Sequence, residues 1–100
     1  MASSKEYLEY VLDQLSGLDG ISHRAMMGEY IIYYRGKVIG GIYDNRFLIK
    51  PTEAAKRLMP DAAFETPYEG AKPMLLVDGL DSRELLNELI PAVARELGKK

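Results

Sequence analysis

A two-layer α+β domain, with helices packed on a mainly antiparallel sheet, is the fold class this sequence predicts. Three observations point to it. Residues 26–50, MMGEYIIYYRGKVIGGIYDNRFLIK, hold three runs rich in Ile, Val, Tyr and Phe separated by Arg35-Gly36 and Asp44-Asn45, the pattern of a β-meander with tight turns. Near both ends of the chain, apolar residues recur at helical spacing: Tyr7, Leu8, Val11, Leu12 and Leu15 first, then Leu85, Leu86, Leu89, Ile90, Val93, Ala94 and Leu97. A wholly apolar run, MLLV at 74–77, lies between Pro73 and Asp78-Gly79 and reads as one more strand. The expected order is α-β-β-β-β-α-β-α in a single domain over residues 1–100.

Each element has a local cause. Ser3-Ser4-Lys5-Glu6 fits a capping box with Ser3 as N-cap, followed by a stripe of Tyr7, Leu8, Val11, Leu12 and Leu15, with Gly17 as the residue that ends the helix. Residues 21–27 form a first strand and Gly28-Glu29 a turn or bulge into the run 30–34. Along that run Tyr30, Ile32 and Tyr34 share one face, and Ile31 and Tyr33 the other. The run 37–43 contains Gly40-Gly41, a pair that predicts a bulge or the close approach of a packed helix, with a ligand resting against the glycines as the alternative. Thr52 caps a short second helix that Pro60 ends. Residues 61–73 read as an unstructured excursion pinned by Phe64, Pro67 and Tyr68. Asp81 heads a second capping box, Asp81-Ser82-Arg83-Glu84. The helix after it runs through Pro91 with a kink rather than a stop, and Gly98-Lys99-Lys100 frays beyond it. Apolar residues on both faces of the meander suit helices over one side and a partner or second subunit over the other.

Composition narrows the function. With no cysteine, disulfides, thiolate nucleophiles and Cys-based zinc sites are excluded. The opening MASSKEYLEY is charged by residue 5 and does not read as a secretory signal. No apolar run approaches the ~20 residues of a membrane span, so a cytoplasmic, non-membrane protein is expected. A net charge of -2 argues against a generic polyanion binder. The meander is nonetheless basic, with Arg24, Arg35, Lys37, Arg46 and Lys50 against Glu29 and Asp44.

Candidate chemistry is sparse. His23 is the sole histidine, which leaves multi-His metal sites unsupported, and the pairs Asp78/Asp81 and Glu84/Glu88 suit turn and helix-surface roles. No phosphate-cradling glycine loop leads from a strand into a helix. Catalytic, cofactor-binding and metal residues are therefore all expected to be absent. Two alternatives carry specific residues. A nucleic-acid module would stack bases on Tyr30, Tyr33, Tyr34, Tyr43 and Phe47 beside the meander's cations. An enzyme on a small acidic substrate would use Arg24 as anion clamp and His23 as base.

The motifs R-A-M-M-G at 24–28, Gly40-Gly41 with Y-D-N-R-F-L-I-K at 43–50, P-Y-E-G at 67–70, Pro73-Met74, and a last helix with Ala92 and Ala94 resemble the N-terminal domain of the TfoX/Sxy family of bacterial competence regulators. Met27 stands where the family has Phe, and Glu29-Tyr30 replaces a more glycine-rich continuation. The resemblance implies a fold like that of the type III secretion chaperones. For full-length members, which add a helical C-terminal domain, it implies a role in switching on DNA-uptake genes with a cyclic-AMP receptor protein. It implies no catalytic residues. The expectation is a stand-alone, non-enzymatic regulatory or protein-interaction module, its partner being a second copy or the transcription machinery. Its candidate interaction residues are Arg24, Met26, Gly28, Tyr33, Arg46 and Lys50. The structural expectations for the signature are Met26 in the core, Gly28 in a turn and Arg24 as a pairing or capping cation.

Overall fold

Three two-residue turns set the sheet. The computed structural model describes residues 3–77 and 79–98. In it Met27-Gly28, Arg35-Gly36 and Asp44-Asn45 each hold both central residues in the left-handed region, at φ 52° and 85°, 52° and 85°, and 53° and 56°. This is type I′ geometry, whose twist matches that of the strands it joins. Among the described residues the elements are α1 (Lys5–Gln14), β1 (Ile21–Met26), β2 (Glu29–Tyr34), β3 (Lys37–Ile42), β4 (Phe47–Ile49), α2 (Glu53–Leu58), β5 (Phe64–Glu65), β6 (Met74–Leu76) and α3 (Arg83–Leu97). The expected α+β class and order hold, with the two-residue β5 added. The sheet order is β1-β2-β3-β4-β6-β5, and every neighbouring pair is antiparallel.

The first turn sits one residue earlier than the sequence suggests. Met26 pairs with Glu29, so Glu29 belongs to β2 and Met27 takes the strained position. Glu29 is fixed there because its Oε1 accepts from the Ser3 hydroxyl at 2.7 Å and from the Asp44 amide at 3.1 Å. This also displaces the helix cap. With the Ser3 hydroxyl already bonded to Glu29 and to the Asn45 amide, Ser4 caps α1 by accepting from the Tyr7 amide. The Ser3 amide donates to the Gly28 carbonyl rather than to Glu6.

Two other ends are corrected in the same way. Leu15 is the C-cap of α1, and Gly17 is not left-handed; a Cβ on it would lie 3.1 Å from the Asn87 amide, so close packing explains that glycine. Ser82, not Asp81, caps α3 by accepting from the Leu85 amide. Asp78 of the expected turn, and Lys99 and Lys100, fall outside the described residues. Thr52 caps α2 as expected, and α3 is helical through Pro91.

The glycine pair is explained by the sheet itself. Ile32 pairs with Gly40 and Tyr33 with Val38, which leaves Ile39 as an extra residue, a β-bulge. A Cβ on Gly40 would collide with the Leu48 carbonyl, and one on Gly41 would lie 2.7 Å from both the Tyr30 carbonyl oxygen and the Tyr43 ring. No helix is what approaches the bare backbone here; a neighbouring strand and a tyrosine are.

The core lies on one face of the sheet. Leu8, Val11 and Leu15 of α1, Leu86, Leu89, Ile90 and Val93 of α3, and Ala55 and Met59 at α2 bury Ile32, Ile39, Ile42, Phe47, Ile49 and Leu75. Tertiary side-chain bonds lock the helices together. Arg83 reaches Asp13 at 2.9 Å, Gln14 donates to the Leu80 carbonyl at 2.7 Å, and Glu96 accepts from the Ala54 amide at 2.9 Å.

Candidate functional site

The signature residues lie on an open hairpin. β1 pairs with β2 alone and forms one edge of the sheet, with positions 22–26 exposed. Met26 is 47% exposed and Met27, at the apex of the turn, 98%. The expectation of a core role for Met26 is therefore overturned: the edge carries no helix over it. Arg24 makes no ion pair or side-chain hydrogen bond among the described residues, so it is neither a pairing nor a capping cation. Gly28 does serve the turn.

Register separates the two faces. His23 pairs with Ile32 on the helix side, its ring edge-on to Tyr30 at 6.2 Å, whereas Arg24 pairs with Ile31 on the outer face. Base and anion clamp therefore do not converge, and the pocket imagined for an acidic substrate is not assembled. The tyrosines divide too. Tyr30 and Tyr34 pack on the core, while Tyr33, paired with Val38, faces outward. Arg35 lies over the Tyr34 ring at 5.4 Å, and Arg46 is bound to Glu65 at 2.6 Å and to the Thr66 carbonyl at 3.3 Å. These contacts leave no continuous row of cations beside aromatic rings. Among the described residues, no group of three or more His, Asp or Glu converges to hold a metal ion, and no helix is long and apolar enough to cross a membrane.

The outer face is not bare where β4 crosses it. Leu48 is fully buried yet stands outside the helix-covered core. The 61–73 excursion closes over this side, tied by Arg46, by the Leu76 amide donating to Ala63, and by the Tyr68 ring 6.2 Å from that of Tyr43. Phe64, expected to pin the excursion, is instead 57% exposed on β5.

Between excursion, sheet and the end of α3 lies a cleft of about 520 Å³ lined by Tyr43, Lys50, Tyr68, Lys72, Met74 and Leu97 among others. Its lining contains two lysines and no carboxylate. Burial pushes the Tyr43 phenol above its ordinary pKa, with Tyr68 and Glu29 adding to the shift. Of the candidate residues, the structure thus gathers Arg24, Met26 and Gly28 at the β1 edge, places Lys50 in the cleft, and uses Arg46 to fasten the excursion. Tyr33 stands on the outer face between these places. Met27, Tyr68 and Lys72 were missed: Met27 reads as an ordinary strand end, and the other two lie in a stretch without periodicity.

Edge hairpin, bulged meander and helices on one face define a small α+β domain. The chain belongs to the TfoX N-terminal domain family, whose model matches residues 13–90. It is similar to a Spirochaeta aurantia protein described as an uncharacterized 12.7 kDa protein in the trpE 5′ region, with 36% identity over 78 residues that cover 78% of this chain and 68% of that one. No solved structure matches it.

Proposed function

We propose that the protein is a non-enzymatic regulatory module that docks another protein along the β1 edge and the Met27 turn, in the cytoplasm and in the service of transcription regulation. The observation that carries this reading is the state of the edge itself. β1 is a six-residue strand open along one side, with Arg24 unpaired among the described residues and two methionines standing in solvent. Such an edge offers backbone groups to an incoming strand, and natural proteins blunt edges that have no use. Methionine side chains adapt to varied apolar partners. Pairing β1 with a second copy would set Arg24 against a strand whose one charge is also Arg24, so an extended segment bearing a carboxylate is the better complement. A homodimer would use the outer face around Ile31 and Tyr33 instead.

Size-exclusion chromatography with light scattering, and affinity capture from a bacterial lysate, test the reading. The wild-type chain retains a specific protein that Arg24→Glu and Met26→Ser variants release. A strict monomer that recovers no protein, or recovery equal for wild type and variants, overturns it.

A further inference from the structure

We propose that the cleft lined by Tyr43, Tyr68, Lys50 and Lys72 is a binding site for a small aromatic carboxylate. It lies apart from the β1 edge and has its own chemistry. The cleft holds about 520 Å³, within the ordinary range for small-molecule sites. One wall is the Tyr43 ring, which rests on the bare backbone of Gly41; the Cβ of any other residue would displace it. Tyr68 packs beside it, its ring inclined 59° to that of Tyr43 at 6.2 Å, so the pair forms one aromatic wall. Met74, Leu97 and three prolines complete an apolar interior.

The charge pattern selects the sign of the ligand. Lys50 is half-buried at the end of β4 and Lys72 exposed on the excursion; neither is ion-paired among the described residues. On a chain whose net charge is -2, a recess with two cations and no carboxylate in its lining attracts an anion. The apolar lining and the two phenol rings favour an aromatic body. The Tyr43 phenol lines the same recess as the two lysines and can donate to a carboxylate oxygen.

The test uses the full chain and three probes with one body: 2-naphthoate, the corresponding naphthylmethylamine, and the neutral alcohol. Titrations followed by amide chemical shifts should give saturable, sub-millimolar binding of naphthoate, with shifts gathered at Gly40, Gly41, Thr52 and Leu97. The amine should bind at least about tenfold more weakly, a difference of about 1.4 kcal/mol. Lys50→Gln with Lys72→Gln should weaken naphthoate by a similar factor while leaving the alcohol unchanged. Tyr68→Ala, at a ring 65% exposed, should weaken all three, with the fold checked by Tm beside the titration. No binding of naphthoate at millimolar concentration, equal binding of acid and amine, or shifts centred on β1 would overturn the proposal. Retention of a protein at the β1 edge is measured separately, so the two readings fail independently.

Discussion

Replacing Met27 by Asn should make the protein more stable while weakening what it binds. Met27 sits at φ 52° in a type I′ turn, where an L-residue with a long side chain pays about 1–2 kcal/mol relative to its relaxed conformation. Asparagine tolerates this region far better, and Asn-Gly is the favoured pair for the turn. The side chain is 98% exposed, so the substitution removes almost no buried surface. The expected gain is about 1 kcal/mol, which for a domain of this size raises Tm by roughly 4–8 °C. Urea denaturation should show a higher midpoint with an unchanged m-value, and Gly28→Ala, at φ 85°, should move the midpoint the other way. Under the proposed function the same Met27→Asn protein retains less partner. Unchanged or reduced stability at constant m-value would refute the assignment of strain to this turn, and undiminished partner retention would remove Met27 from the interface.

Four further outcomes follow from the packing. Phe47→Ala removes a fully buried ring from the centre of the core and should cost about 3–5 kcal/mol in urea denaturation. Gly41→Ala should cost about 1–3 kcal/mol, and a second change, Tyr43→Ala, should recover only part, because the Tyr30 carbonyl oxygen remains 2.7 Å from the new Cβ. Arg46→Gln should change global stability by no more than about 1 kcal/mol, since the ion pair is partly exposed, but amide exchange at 64–66 should rise. Burial holds the phenols of Tyr7 and Tyr43 above the ordinary 10.0, so the folded state keeps those protons where the unfolded chain loses them. Their contribution is whole below pH 10.0 and disappears as pH rises through the folded values; tyrosinate absorbance of Tyr7→Phe and Tyr43→Phe variants against wild type, read beside circular dichroism, should assign to each ring an ionisation above pH 10.0, and ionisation of either at or below 10.0 in an intact fold would contradict this.

What could be read from the sequence was what depends on short-range pattern. The meander, both amphipathic stripes, the Thr52 cap and the helix running through Pro91 each follow from residues within a turn or two of one another. The misreadings share a different cause. β5 exists because Phe64 pairs with Leu75, a contact that residues 61–73 do not announce by any periodicity of their own. Gly17 is required by Asn87 and Gly41 by Tyr43 and the Tyr30 carbonyl, although each could be assigned a local role from its neighbours. Met26 carried the hydrophobicity of a core residue but lies on the one strand of the meander that no helix covers. The cleft was invisible for the same reason: Lys50 and Lys72 are separated by α2 and β5, and they share a recess only because the excursion folds back over β4.

The N-terminal segment shows how such distant contacts make an unfavourable local choice tenable. A turn with methionine in the left-handed region would, in an isolated hairpin, give way to a looser loop. Here the Ser3 amide donates to the Gly28 carbonyl at 3.0 Å, and the Ser3 hydroxyl donates to Glu29, the first residue after the turn. The same residues hold the Asp44-Asn45 turn, through the Asp44 amide to Glu29 and the Asn45 amide to Ser3, while the Asn45 side chain accepts from the Ser4 amide at 2.8 Å. Four hydrogen bonds therefore join Ser3 and Ser4 to the two left-handed turns and their flanks, and a fifth joins the second turn to Glu29. Each bond contributes about 1 kcal/mol or less net, enough together to exceed the cost at Met27. Strain retained by surrounding structure points to a use for the strained residue. The exposed thioether at the apex has no packing role within the chain, which is why a contact with another protein is the use to look for.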